Sequence, residues 1–259
     1  MKNIKDISIS FLIFFLYTAL GMVLMQGLPF GLIGLLLWHS LAFIFSYKYL
    51  LKKDKLVMYY DEYDLTSGDM FKASCILMVM LVIGQVVAYN ILKTQGDIAY
   101  SAYQANSTID PLIYFLTSLI VAPLSEELMF RGVLYRGLRD NLPSKFLAAI
   151  IVSILFAFMH GTMVHLYITF NLSLLTIIVY EKTGAIGYSV LVHLAYNVLS
   201  TFASGFIPIE SWMDNQIFVA ILAILLSVFL MSLLVIVLNH SKGRYKNEKE
   251  KICKEEKNA

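Results

Sequence analysis

Apolar residues occur along this chain in blocks of about twenty, separated by polar connections. A helix of that length crosses the roughly 30 Å hydrocarbon core of a bilayer. Eight such blocks can be marked, at about 7–27, 29–50, 73–92, 111–135, 145–163, 164–181, 185–204 and 216–239. The expected fold is therefore all-α, a polytopic membrane helix bundle of about eight transmembrane helices. Residues 1–240 form its single integral-membrane domain and residues 241–259 a charged cytoplasmic tail.

The polar residues left inside these blocks carry the chemical information. Pro123-Leu124-Ser125-Glu126-Glu127-Leu128-Met129-Phe130-Arg131-Gly132 places two carboxylates and a guanidinium in the apolar run from Leu112 to Leu134. A charge at mid-membrane depth costs a few kcal/mol, so such groups face a bundle interior, pair with one another and mark functional sites. Glu127 and Arg131 are four apart and share a helix face, whereas Glu126 points about 100° away. One acid is thus neutralised locally and the other is left over. A buried ion pair that only fixes packing would not explain that second carboxylate.

Composition agrees with the pattern. Of 259 residues, 59% are hydrophobic and 15% charged, and mean hydropathy is +0.73, which excludes an ordinary water-soluble domain of this size. The net charge of +2 says little about partners, and nothing points to nucleic acid. Its distribution says more. Lys2 and Lys5, then Lys52, Lys53 and Lys55, then Arg136, Arg139 and Lys145, then Lys182 and the tail occupy every second connection. With eight spans that places both termini in the cytoplasm by the positive-inside rule. Cys75 and Cys253 stand apart and imply neither a disulfide framework nor a cysteine zinc cluster. The first apolar block is long and lacks a small-x-small cleavage site, so it reads as a retained span. Asn106-Ser107-Thr108 matches a glycosylation triplet of the kind that recurs by chance, and His39, beside Trp38, reads as a packed or interfacial residue and not a ligand.

Two further spans hold costly polar groups. Phe156 and His160 close the fifth block, and His193 and Asn197, four apart on one face, lie in the seventh. A histidine on each of two helices, an asparagine in register with one of them and an unpaired glutamate on a third can serve as one another's partners in a low dielectric. In such a cavity Glu126 can take a proton from water, and His160 can hold that water or pass the proton to a leaving amine. An imidazole N–H and the Asn197 amide can donate to a developing oxyanion. No H-E-x-x-H, no G-x-S-x-G and no paired intramembrane aspartates occur, although Glu126, His160 and His193 would also make a two-histidine, one-carboxylate zinc set.

The series E-E-x-x-x-R (Glu126, Glu127, Arg131), F-x-x-x-H (Phe156, His160) and H-x-x-x-N (His193, Asn197), in this order on three spans, resembles the CPBP family of intramembrane proteases. This is the CAAX prenyl endopeptidase and bacteriocin-processing group, and Pro123, Ser125, Phe130 and Gly132 look like its bacterial branch. The resemblance covers about residues 111–204, the expected catalytic core. It implies that Glu126 activates water with help from His160, that His193 and Asn197 stabilise the oxyanion, and that Glu127, Arg131 and Phe156 support the site. It leaves the metal question open between zinc and glutamate alone, and metal-free catalysis is the preferred reading. The substrate would be a membrane-associated or lipidated peptide or protein in a bacterial plasma membrane. Bacterial relatives are associated with peptide pheromone maturation, bacteriocin immunity and membrane sensor kinases, so the alternative is a non-catalytic immunity or kinase-accessory protein. A proton-coupled transporter is a weaker third reading, because no internal repeat is visible.

Straight rods raise one difficulty. Measured from Pro111, Glu126 lies roughly 22 Å down the fourth span, while His160 lies about as far up the fifth from Lys145. At those depths the two side chains would miss each other unless the helices tilt, break or start outside the core.

Overall fold

The computed structural model describes residues 4–27, 31–53, 116–160 and 163–206, with isolated positions at 56, 58, 76, 79, 221, 225, 229 and 232. Apart from those isolated positions, the expected third and eighth spans, the connections between spans two and four, Cys75, Cys253, the Asn106 triplet and the tail lie outside the described residues. Among the described residues all regular structure is helical.

The first two blocks form α1 (Ile4–Gly27) and α2 (Gly31–Lys52). Both are long and apolar enough to cross a membrane. The fourth block is one continuous rod in four parts: a π-helical turn π1 (Thr117–Val121), α3 (Ala122–Glu127), a second π-helical stretch π2 (Leu128–Tyr135) and α4 (Arg136–Asn141). Backbone angles at each junction stay helical, so the rod is never broken. Leu142 turns into extended backbone, and Ser144 caps the next helix by accepting from the Leu147 N–H at 3.3 Å, the usual role of serine at that position. Then follow α5 (Lys145–Met159), α6 (Met163–Thr183) and α7 (Ile186–Phe206). Gly184, at φ 73°, makes the turn between the last two, and its N–H donates to the Tyr180 carbonyl at 2.7 Å. Only glycine adopts that angle without strain.

The rod from π1 to α4 is the axis of the bundle. All eight residues of π2 are buried, which marks a helix enclosed on every side. α1 packs along α2, α5 along α6 and α7 on α6, and the rod touches α1, α2, α5 and α7. α1 and α2 approach closely at Gly21, where a Cβ would stand 2.5 Å from the Trp38 ring. The outer faces are apolar: Leu12, Phe15, Leu16 and Val23 of α1, Leu41 and Phe45 of α2, Phe158 of α5 and Leu191 of α7 are all exposed. Water would disfavour so much apolar surface and lipid would not.

The basic residues gather at one end. The start of α1 meets α4, where Gly137 lies against Ser10 and near the Asp6 carbonyl. Beside them Arg139 Nη1 bonds Glu181 Oε1 at 2.8 Å, and Lys145 Nζ reaches Glu181 Oε2 at 3.5 Å. This knot ties the end of α4, the start of α5 and the end of α6 together. It also removes the depth difficulty. The fourth block does not stop near 135 but runs six residues further to Asn141, so depth is set by the Leu142–Ser144 corner and not by Pro111. Glu126 lies fifteen positions before Asn141 and His160 fifteen after Lys145, and the two stand level.

Candidate active site

Glu126 and Glu127 end α3 just before the helix widens into π2, and such wide turns recur at functional sites. The two acids part as their spacing predicts. Glu127, fully buried, sets Oε2 3.0 Å from Arg131 Nε. Arg131, also fully buried, extends to α6, where its Nη2 donates to the Ser173 carbonyl at 3.2 Å and to the Thr176 hydroxyl. Its guanidinium lies 4.8 Å from the centre of the Phe156 ring, a cation–π distance. The other Glu127 oxygen, Oε1, accepts from His193 Nδ1 at 2.8 Å. Glu127 thus joins the rod to α7 directly and to α6 through Arg131.

Glu126 faces three imidazoles. Its Oε2 lies 3.9 Å from His160 Nε2 and 3.8 Å from His193 Nε2, and its Oε1 lies 3.9 Å from His39 Nε2. All three separations exceed a direct hydrogen bond. The opposite ring nitrogens are committed elsewhere. His160 Nδ1 bonds the Phe156 carbonyl at 2.8 Å, His193 Nδ1 the Glu127 carboxylate at 2.8 Å, and His39 Nδ1 the Ser125 Oγ at 2.7 Å. A carbonyl and a carboxylate only accept, and the Ser125 hydroxyl donates its proton to the Ala122 carbonyl at 3.0 Å. Each ring therefore donates from its Nδ1, and each Nε2 is turned towards Glu126. With neutral rings and an ionised Glu126, the facing atoms are all acceptors and need a donor between them.

Phe156, fully buried, floors this centre, with ring centroids 4.8 Å from His160 and 5.8 Å from His193. Its edge-on neighbour Phe130, at 4.8 Å, leads to Phe14 and Tyr17 of α1. His160 caps the end of α5 and is the more open of the three rings, with a side chain 28% exposed against 3% for His193. Asn197 follows one turn after His193 on α7, part-buried, and its carbonyl accepts from the Ser200 hydroxyl at 3.1 Å.

Of the residues singled out from sequence, Glu126, Glu127, Arg131, Phe156, His160 and His193 thus meet in one place, with Asn197 on the adjoining turn. Of the two readings of His39 the packed one holds, and the packing places it beside the acid: it is buried against Glu126 and Ser125, with its ring 4.7 Å from that of Trp38. The signal was present, since a histidine in an apolar helix with no polar residue three or four positions away needs a partner from another helix. Among the described residues no group of three or more His, Cys, Asp or Glu side chains is placed to hold a metal ion, so the zinc set of Glu126, His160 and His193 gains no support from ligand geometry.

Residues 108–199 match the family model described as type II CAAX prenyl endopeptidase Rce1-like. The chain therefore carries an Rce1-like segment over those residues. It is similar over 107 residues, at 31% identity, to UPF0177 protein YaiH of Lactococcus lactis subsp. lactis (strain IL1403), covering 41% of this chain and 44% of the relative. It is similar over 88 residues, at 33% identity, to UPF0177 protein YbdJ of the same strain, covering 34% and 37%. The matches thus span less than half the length of these curated relatives. No solved structure matches. The Rce1-like segment holds all three motifs and ends before α7 does, while α1 and α2, with His39, lie outside it.

Proposed function

We propose that this protein is a multi-pass intramembrane endopeptidase, oriented with its basic end in the bacterial cytoplasm, that hydrolyses a peptide bond in a membrane-associated or lipidated substrate. The observation that carries this reading is the ring of acceptors: Glu126 Oε2 faces the bare Nε2 atoms of His160 and His193 at 3.9 and 3.8 Å. Water is the small molecule that supplies donors to several acceptors at once, and 3.8–3.9 Å is spanned by one water bonded to both sides.

In this reading Glu126 takes a proton from that water as its oxygen attacks the carbonyl carbon. A positioned base of this kind contributes roughly 10²- to 10⁴-fold. The carbonyl oxygen, now negative, is met by the Asn197 amide N–H. His193, its ring held by the Glu127 carboxylate on Nδ1, adds a second donor when its Nε2 carries a proton. His160, the most open ring, takes that proton from Glu126 on its Nε2 and delivers it to the leaving amine as the C–N bond breaks. Glu127 and Arg131 hold His193 and the rod in register. The eight-span count and the cytoplasmic placement of both termini belong to the same proposal, supported by the gathering of Lys5, Lys52, Arg136, Arg139, Lys145 and Lys182 at one end.

The test uses purified protein in detergent and a fluorogenic peptide ending in a farnesylated Cys-aliphatic-aliphatic-X sequence, with Glu126→Ala and His160→Ala beside wild type. Cleavage by wild type and loss in both variants is expected. Equal cleavage by all three overturns the reading.

A further inference from the structure

The Rce1-like segment supplies two of the three imidazoles around the buried acid, and the third comes from outside it. Resting on the hydrolytic reading above, we propose that His39 of α2 is a positioning residue for Glu126. It fixes the Oε1 side of the carboxylate so that Oε2 stays aimed between His160 and His193.

Glu126 is reached on Oε2 from α5 and α7 and on Oε1 by His39 Nε2, 3.9 Å away. His39 is 3% exposed, and its ring orientation is set from three sides. Nδ1 bonds Ser125 Oγ at 2.7 Å, one residue before the acid it serves. Its ring lies 4.7 Å from the Trp38 ring, and Trp38 in turn is fixed by donating Nε1–H to the Tyr17 carbonyl at 2.9 Å and by the close approach at Gly21. A histidine kept only for packing has no need of a bare nitrogen aimed at a buried carboxylate, because two acceptors face to face repel unless a donor joins them. One water donating a proton to each closes the 3.9 Å gap and ties the carboxylate to α2. The α1–α2 pair then acts as the back wall of the site, and a carboxylate free to swing there would lose its alignment with the water on the other side.

Isosteric variants separate positioning from packing. Asparagine matches the ring at Nδ1 and keeps the Ser125 bond but nothing on the Glu126 side. Glutamine matches it at Nε2 and can donate an N–H towards Oε1. On the farnesylated peptide probe, kcat is expected to fall about tenfold to a hundredfold in His39→Ala and His39→Asn. KM is expected to stay within about threefold, and His39→Gln to recover most of kcat. Thermal unfolding in detergent identifies any variant that merely fails to fold. A His39→Asn protein as active as wild type overturns the inference. So does a loss confined to KM, or a His39→Gln protein no better than His39→Ala while folded. An activity-free readout runs beside it: ¹⁵N spectra of the histidine rings in wild type and Glu126→Gln. A shift of the His39 Nε2 resonance with Nδ1 still protonated supports the link, and an unchanged resonance refutes it. If Glu126→Ala cleaves as wild type does, the hydrolytic reading itself fails. If Glu126→Ala is dead and His39→Ala fully active, only the role of His39 fails.

Discussion

The Rce1-like segment and the α1–α2 pair contribute to one site in different ways. The segment brings its polar groups in ordered motifs on helices whose own spacing pairs them, as Glu127 with Arg131 at 3.0 Å. The α1–α2 pair brings a single histidine in an apolar helix, plus an aromatic wall of Phe14, Tyr17 and Trp38. A motif records what a helix does to itself or repeats across relatives. A wall records what a helix does to its neighbour, which the one-dimensional pattern does not show.

The comparison can be broken at its strongest point first. Glu126→Gln, which keeps size and hydrogen bonding but cannot take a proton, should cut kcat by about a hundredfold or more with helix content unchanged by circular dichroism. Next comes Arg131→Met, which strands the buried Glu127 carboxylate. Losing one partner of a buried ion pair costs roughly 3–5 kcal/mol, so a large drop in thermal midpoint in detergent is expected, with loss of activity following the loss of fold. Substituting Gly21 by leucine drives a side chain into the Trp38 ring and prises α1 from α2. Overpacking of this kind costs about 1–3 kcal/mol, and cleavage should fall through His39 even though no motif residue is touched. Ser125→Ala removes the acceptor for His39 Nδ1 at a cost of about 0.5–1.5 kcal/mol, with a modest fall in kcat and loss of the fixed His39 tautomer in ¹⁵N spectra. Smallest of all should be Arg136→Ala, whose 3.9 Å pairing with the 40% exposed Asp140 is a surface contact of about 1 kcal/mol or less.

Much of this was legible in the sequence because membranes make polar groups expensive. Six of the eight expected blocks correspond to described helices, with ends shifted by a few residues, except that the fourth runs on to Asn141. The pairing of Glu127 with Arg131 follows from helical spacing, and the shared face of His193 and Asn197 follows in the same way. The π-helical turns were not legible, because Leu128 to Tyr135 reads as an ordinary apolar stretch and its eight buried residues reflect enclosure by four other helices. Nor was the anchoring of Arg131 on the Ser173 carbonyl, a backbone atom 42 residues away. His39 lay between these cases. Like His160, it is a buried imidazole that must find a partner, but no neighbour on α2 named that partner.

The central claim is that Glu126 sits among three imidazoles as the base of a hydrolytic site. Comparative peptidomics of membranes from cells carrying wild type or Glu126→Gln at equal abundance tests it without presupposing a substrate. The account predicts a set of cleaved termini present with wild type and missing with the variant. Identical peptide profiles from the two strains would contradict it.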